Sequence, residues 1–350
     1  MTISLSVDSQ AILLLASNVG LPIVKNMDLK PLSSSEWNAM SEKLSHSTLK
    51  YPRKFFEADP NEWKEQLDLN EAQVERMQRL LARGANLSME IERLSSLGIW
   101  ITTRAEPTYP QRLKKVLKRK CPVIMFGVGD YNLASAGGVA IVGSRDVDSA
   151  GVEFTAKLAQ KCANEELVVI SGGARGVDSI AQDTALNNGG RVLSILANGL
   201  EKIIQRREVR KNILENKMLL LTPFHPKVPF HAYNAMERNK FVYAMSNYTV
   251  VISAAEKKGG TWTGAAENLK AQWVPLFVRD EESCPSGNRT LIDQGAIPID
   301  SAVLSSTKHL SEWFTQKLGE KAQRLDIHRK YMSNEEQNLK AMVNEQIALF

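Results

Sequence analysis

Short apolar runs and amphipathic stretches alternate along the second half of the chain. From position 139 onward, six runs rich in Val, Ile and Leu are apolar at successive positions, which is typical of strands buried on both faces of a parallel sheet. The predicted strands are Val139–Val142, Leu167–Ile170, Val192–Leu196, Met218–Leu221, Thr249–Ser253 and Val274–Val278. Helical periodicity separates them at 152–164, 177–188, 205–216, 234–244 and 262–271. The alternation predicts an α/β fold with a doubly wound, mostly parallel, Rossmann-like sheet.

The sequence on either side of this region is typical of helices. Near the N-terminus the clearest candidate is Glu71–Leu81, where apolar positions recur every three or four residues. Asn70 is expected to cap the start of this helix and Gly84 its end. Helical spacing returns in Leu310, Trp313, Phe314 and Leu318. We predict an N-terminal helical domain over 1–96, a Rossmann-like domain over 97–305 and a C-terminal helical segment over 306–350.

Composition narrows the class of protein only slightly. The 350 residues include 44 Lys and Arg against 39 Asp and Glu, a net charge of +5 that suits a nucleic-acid partner without requiring one. The three cysteines are isolated, which argues against a disulfide framework or a zinc site and fits a reducing compartment. The N-terminus lacks a basic segment followed by a long apolar one. We expect a cytoplasmic protein that does not enter a membrane.

Three glycine-rich turns come after predicted strands. They are Gly143-Ser144-Arg145, the segment from Ser171 and Gly172 to Arg175 and Gly176, and Gly259-Gly260-Thr261. Because the carboxyl ends of parallel strands share one edge of a sheet, the three turns can line one crevice. A single glycine at such a junction more often reflects turn geometry. Three such turns together, two of them with an arginine suited to phosphate, favour a phosphate-bearing ligand.

Other ligand classes have no matching motif. The turns fit neither the dinucleotide pattern G-x-G-x-x-G nor the nucleotide-hydrolase pattern G-x-x-x-x-G-K-[ST]. The five histidines lack metal spacing, and no G-x-S-x-G segment is present. Asp178 could serve as an acid or base, but a carboxylate at this position more often braces the turn. We therefore expect no cofactor, no metal and no catalytic residue.

Charged and aromatic residues elsewhere could extend the crevice. Arg238, Asn239 and Lys240 precede a predicted strand, where they either form a solvated helix face or add positive charge to the crevice mouth. Two basic runs, at 112–120 and 206–211, could follow a polyanion if they flank the crevice, although such runs are usually solvated. Aromatic candidates for stacking on bases are Tyr109, Phe126, Tyr233 and Trp262, each of which also suits a core position.

These segments resemble the DprA/Smf family of DNA-processing proteins. The matches are Val142-Gly143-Ser144-Arg145, Ser171 to Asp178 with Ala181-Gln182, Glu237-Arg238-Asn239-Lys240, and Gly260 to Ala265. The resemblance covers roughly 97–300. It implies single-stranded DNA binding in the crevice, a non-enzymatic role in protecting incoming strands, loading of a RecA-type recombinase, and a homodimer. By position it implies strand contacts from Ser144, Arg145, Gly172, Arg175 and Arg238 to Lys240, with Gly259 to Thr261 lining the pocket.

Two alternatives stay open. The segment Gly259 to Gly264 with Glu267 partly matches the P-G-G-x-G-T-x-x-E turn of LOG proteins, which release the base from nucleoside monophosphates. On that interpretation Arg175 would hold a 5′-phosphate and Glu267 would be catalytic, although Lys258 stands in place of the proline. The second alternative is a divergent DprA-like protein in defence against foreign DNA, because the R-N-R segment of the family ends in Lys240 here.

Overall fold

The computed structural model describes residues 5–21 and 29–324. Its strands are β1 Trp100–Thr103, β2 Ile124–Val128, β3 Val139–Val142, β4 Val169–Ser171, β5 Val192–Ile195, β6 Met218–Thr222, β7 Tyr248–Val251, β8 Leu276–Arg279 and β9 Ile297–Ile299. Its helices are α1 Val7–Ala16, α2 Ser34–His46, α3 Pro60–Leu67, α4 Glu71–Leu81, α5 Gly84–Ser96, α6 Gln111–Leu117, α7 Ser149–Asn164, α8 Val177–Asn187, α9 Arg207–Leu214, α10 Ala232–Met245, α11 Gly259–Ala271, α12 Ser286–Asp293, α13 Ser301–Ser306 and α14 over 310–324.

The strands form one mixed sheet in the order β1-β2-β6-β5-β4-β3-β7-β8-β9. Strands β6, β5, β4, β3, β7 and β8 pair in parallel, whereas β1 pairs with β2 and β2 with β6 antiparallel. The chain runs outward from β3 to β6 and then returns to the other side of β3 as β7. The carboxyl ends of β3 and β7 therefore form a topological switch point, the place where doubly wound sheets bind ligands.

Helices cover both faces of the sheet, and this accounts for the almost continuous apolar character of the central strands. On one face, α6 and α10 pack together, and α10 lies across β3, β4 and β5 with Phe241 and Val242 in the core. On the other face, α7 packs along α8, and both contact β3 and β4. These elements confirm the predicted doubly wound α/β fold.

The chain divides into two compact units, Met1–Pro298 and Ile299–Phe350. In the first unit the apolar α1 packs against α4, α5 and β1, so helices near the N-terminus share a unit with the sheet. In the second unit, Leu310 and Phe314 of α14 are buried at the predicted helical spacing. The rest of the predicted C-terminal segment, 325–350, lies outside the described residues. The domain boundaries at 97 and 306 stay predictions.

Two local details differ from the sequence-based expectations. Asn70 caps α4 as predicted, with its side chain accepting from the amide of Gln73. However, α4 ends at Leu81 with Ala82 as its C-cap, and Gly84 begins α5 instead of capping α4. The antiparallel strands β1 and β2 were not predicted, because they precede the region where strand and helix patterns alternate. No helix within 5–21 and 29–324 is long and apolar enough to cross a membrane.

Candidate nucleic-acid interface

Backbone contacts join the first two predicted turns at the switch point. The amide of Ser144 donates to the carbonyl of Ser253 beyond β7 at 3.0 Å, and the amide of Val177 at the start of α8 donates to the carbonyl of Ser144 at 3.2 Å. Gly176 has φ +84°, and a Cβ there would lie 2.5 Å from the carbonyl oxygens of Ser144 and Arg145. Only glycine permits this close approach. The carboxyl ends of β3 and β4 and the region beyond β7 therefore meet, as the sequence predicted.

Asp178 braces the turn between β4 and α8. Its buried carboxylate accepts hydrogen bonds from the amides of Gly172 and Ala174, each at 3.2 Å. Burial raises the pKa of this carboxyl, and the charge of Arg238 opposes the rise. Because the carboxylate satisfies two amides of the turn and sits in the first turn of α8, where negative charge is favourable, its role is structural.

Asp178 leaves other amides of the same turn available to a ligand. Within residues 5–21 and 29–324, the amides of Gly173, Arg175 and Gly176 donate no hydrogen bond to the protein. They lie beside the uncapped N-terminus of α8, where Gly176 provides no side-chain hydrogen bond. Free amides at a helix N-terminus are suited to an anion. The turn thus keeps free amide donors, as expected of a phosphate site, but fewer than it would have if Asp178 did not accept from Gly172 and Ala174.

Arg238 lies at the same turn, although it comes from α10. The residue is 5% exposed, and a Cβ on Gly172 would lie 1.4 Å from its Nη1, so the guanidinium occupies the space of a side chain at position 172. Its Nε is buried without a hydrogen-bond partner in the described part of the chain. Burial lowers the pKa of this guanidinium and nearby Asp178 opposes that shift, but an arginine stays charged. A buried cation with an unused donor therefore lies beside the crevice.

The exposed arginines of the crevice differ in their partners. Arg175 donates to the carboxylate of Asp146 at 3.0 Å, with 77% and 87% of the two side chains exposed. Arg145 makes no ion pair to the described residues, and its guanidinium lies 5.6 Å from the ring centre of Phe230. A surface ion pair such as Arg175–Asp146 contributes about 0–1 kcal/mol, so an incoming phosphate can replace the carboxylate.

The third predicted turn, Gly259-Gly260-Thr261, is instead the first turn of α11, and it is attached to the helix that carries Arg238. The side-chain amide of Asn239 donates to the carbonyl of Gly260 at 3.0 Å, which fixes the start of α11 beside α10. Lys258, at the N-cap of α11, provides no side-chain hydrogen bond, so the first amides of the helix, from Gly259 to Thr261, are not satisfied by a cap. Asn239 therefore brings a second uncapped helix start next to Arg238.

Lys240 has a different environment from Arg238. Its ammonium group pairs with Glu237, and its side chain lines a cleft of about 560 Å³ that is also lined by Phe126, Phe224 and His225. Residues two positions apart point to different sides of a helix, since each advances about 100°. The structure thus brings Arg238 to the turn at Gly172, while Lys240 faces this separate cleft.

The two basic runs and the four aromatic candidates do not all lie at the crevice. Arg112 donates to the carbonyl of Ser246, before β7 begins, so this part of the first run lies toward the amino ends of the parallel strands, away from the crevice. The second run lies on exposed α9, which begins after the carboxyl end of β5. Tyr109, Phe126 and Trp262 are buried in the core. Tyr233 is exposed at the start of α10.

Sequence reasoning missed three features of this site. It did not pair Asp146 with Arg175, although Asp146 directly follows the Ser144-Arg145 turn. It did not foresee that Arg238 is buried, because a glycine at position 172 does not indicate which residue fills the space that a side chain would occupy there. It also passed over Phe230, which contacts Arg145. The proximity of an acidic residue to the first turn was the only signal available from the sequence.

Comparison with known proteins agrees with this architecture. A family model described as DNA recombination-mediator protein A matches residues 100–308. DNA processing protein DprA of Streptococcus pneumoniae is 28% identical over 221 residues, which is 62% of this chain and 75% of that protein. Protein Smf of Escherichia coli is 31% identical over 183 residues, 51% of this chain and 48% of that protein, so the match spans about half of its length. The solved structure of DNA processing protein A from Streptococcus pneumoniae gives a TM-score of 0.55 at 21% identity, covers 79% of this chain and 99% of its own, and shows the shared fold.

Proposed function

Because the chain belongs to the DNA recombination-mediator protein A family, which confirms the predicted DprA/Smf resemblance, we propose that it binds single-stranded DNA in the crevice at the carboxyl ends of β3, β4 and β7. The observation that carries this proposal is the buried Arg238 guanidinium, which lies against Gly172 at the turn after β4. A phosphate at this turn would be attracted by the buried charge and would accept a charge-assisted hydrogen bond from the guanidinium.

The proposed site holds the strand through its backbone. In this site Arg238 contacts a phosphate from the buried side of the crevice, and the free amides of Gly173 and Gly176 contribute uncharged donors. Arg175 and Arg145 provide exposed positive charge at the entrance of the crevice. Ser144, Ser171, Asn239 and the start of α11 set the positions of these groups. Contacts of this kind position a strand without reading its sequence. The role proposed for these residues is binding and not catalysis.

The direct test is a titration of labelled single- and double-stranded oligonucleotides at two salt concentrations. The natural chain is expected to prefer the single strand, with an affinity that falls as salt rises. Each neutralised phosphate contributes about −0.7 to the slope of log affinity against log salt for a single strand. If the protein bound neither form at low salt, the proposed function would be wrong.

Charge reversal at Arg175 tests the assignment of residues. Arg175→Glu is expected to weaken binding at least about fivefold and to lower the magnitude of the salt slope by about 0.7, because one phosphate contact is lost. Arg119→Glu is the matched control, since Arg119 is also an exposed, ion-paired arginine but pairs with Glu42 on α2. Equal losses in both variants, measured by fluorescence anisotropy, would show a general charge effect and no site at Arg175.

Removal of the Asp146 charge is expected to strengthen binding. Asp146→Asn frees Arg175 and removes a like charge from the path of the phosphates, which predicts a gain of about two- to fivefold in affinity at low salt. Asp68→Asn provides the control, because Asp68 forms a comparable exposed ion pair with Lys43 among the N-terminal helices. Unchanged or weaker binding by Asp146→Asn would mean that the strand does not compete for Arg175.

The family also supports proposals about partners. We propose that the chain acts in the cytoplasm as a homodimer that assists a RecA-type recombinase. Membership of a family of DNA recombination mediators supports the recombinase as a partner. Sedimentation of the purified chain measures the first part, and the rate at which recombinase filaments form on DNA coated by a single-strand-binding protein measures the second. A monomer would contradict the proposed homodimer. An unchanged rate of filament formation would contradict the proposed action on a recombinase.

An assay for released base separates this function from the LOG-like alternative. Glu267, the catalytic candidate on that interpretation, lies exposed on α11. Incubation with nucleoside monophosphates is expected to release no free base. Release that disappears in Glu267→Gln would replace the binding proposal with an enzymatic one.

A further inference from the structure

An exposed apolar patch lies next to the crevice. Phe230 is 52% exposed, Tyr233 74% and Met236 56%, so three large apolar side chains within seven residues face solvent. Isolated apolar residues are common on protein surfaces, but several large ones exposed within one short segment more often mark an interaction site. We refer to Phe230, Tyr233 and Met236 as the aromatic patch.

The aromatic patch is linked to the proposed phosphate site by Arg145. The Arg145 guanidinium, in the turn after β3, lies 5.6 Å from the ring centre of Phe230 and makes no ion pair to the described residues. It is therefore positioned between the crevice and the patch with its charge unneutralised. A polymer with negative charge on one side and flat apolar groups on the other would be complementary to this arrangement.

Helix α10 presents the two kinds of group on different faces. Tyr233 and Met236 are three residues apart and share a face of the helix. Arg238 comes five residues after Tyr233 and lies about 140° around the helix, where it is buried against Gly172. A strand whose phosphates reach Arg238 can thus direct its bases outward to the patch.

From this geometry we propose that the aromatic patch is a stacking platform for the unpaired bases of the bound strand, with Phe230 and Tyr233 as the stacking side chains. This inference rests on the proposed function, because it requires the strand to occupy the crevice. Stacking on aromatic side chains tolerates all four bases, since each has a π-face. The platform would favour single strands over duplexes, in which the base faces are already stacked on one another.

The experiment compares two oligonucleotides of equal length, one of deoxythymidine and one of abasic deoxyribose phosphates. The natural chain is expected to bind the base-bearing strand more tightly. Phe230→Ala with Tyr233→Ala is expected to weaken binding of that strand about five- to tenfold or more, and to leave binding of the abasic strand unchanged. Tyr233→Phe, which retains the ring, should keep the natural affinity.

Two further measurements sharpen the test. A 2-aminopurine placed in the strand should lose fluorescence on binding to the natural chain and lose less on binding to the double variant, because stacking quenches it. Tyr51→Ala is the matched control, since Tyr51 is 50% exposed and contacts Arg53 at 4.5 Å, but lies before α3. This control should bind both strands normally.

Each outcome separates the two proposals. If the natural chain binds both strands equally well, the stacking platform is wrong while strand binding in the crevice stands. If it binds neither strand, both are wrong. If the double variant loses affinity equally for both strands, the stacking platform is wrong. It is also wrong if the double variant binds both strands normally and changes only the sedimentation coefficient, since a second copy of the chain would then occupy the patch.

Discussion

Replacement of Asp178 by alanine is expected to lower the free energy of unfolding by about 3–5 kcal/mol. The variant would leave the Arg238 charge buried without its neighbouring carboxylate and would remove the acceptor for the amides of Gly172 and Ala174. Removing one of two neighbouring buried charges lowers the free energy of unfolding by more than the pair contributes to it, because the remaining charge stays buried without water or a partner. Urea denaturation followed by circular dichroism measures the loss.

Asp183→Ala is the control for this prediction. Asp183 lies exposed on the same helix, more than one turn beyond Asp178. Its removal is expected to change the free energy of unfolding little. Comparable losses for the two variants would show that the effect of Asp178 reflects the stability of α8 and not the brace at the turn.

Asp178→Asn distinguishes the charge of Asp178 from its hydrogen bonds. The amides of Gly172 and Ala174 donate to the same carboxylate oxygen, so asparagine can keep both hydrogen bonds through its amide oxygen but removes the charge that faces Arg238. An intermediate loss is expected. A loss as small as that of the Asp183 control would contradict the role assigned to the Arg238–Asp178 charges.

Removal of the guanidinium at position 238 is expected to have the largest effect on DNA. Arg238→Met keeps the length and apolar stem of the side chain but deletes the buried charge that the proposal places against a phosphate. A hydrogen bond to a charged group contributes about 1.5–3 kcal/mol, so single-strand affinity should fall about 10- to 150-fold. Fluorescence anisotropy at low salt measures the change, on protein whose folding has been verified by circular dichroism.

Gly172→Ala provides an independent variant, since Arg238→Met also leaves Asp178 without its cationic neighbour. A methyl group on Gly172 would overlap the guanidinium, so Arg238 must move while its charge remains in the protein. Reduced affinity is expected again. Gly84→Ala is the control, because a Cβ at Gly84 meets nothing within 4 Å. Normal binding by both Arg238→Met and Gly172→Ala would remove Arg238 from the site.

Periodicity gave a correct description of the parallel part of the sheet because its strands are apolar on both faces. Strand β3 has the bounds that its apolar run predicted, and α8 begins at Val177, directly after the glycine turn, as the pattern indicated. The antiparallel strands β1 and β2 escaped prediction, since a four-residue strand such as Trp100–Thr103 is too short for its alternation to stand out. Turn chemistry also misled at Gly84, where two helices follow each other almost without a loop.

The sequence by itself determined the fold class, the family and the position of three glycine turns at one edge of the sheet. These follow from local rules: burial on both faces selects apolar strands, and turns that approach other backbone closely select glycine. Only the tertiary structure decided which charged groups meet there. Arg238 and Lys240 are two residues apart, yet α10 directs one to Gly172 and the other to a separate cleft. The carboxylate of Asp178 accepts hydrogen bonds from two amides of the turn, and the carboxylate of Asp146 accepts one from Arg175. Such pairs are determined by distances between elements and not by spacing along the chain.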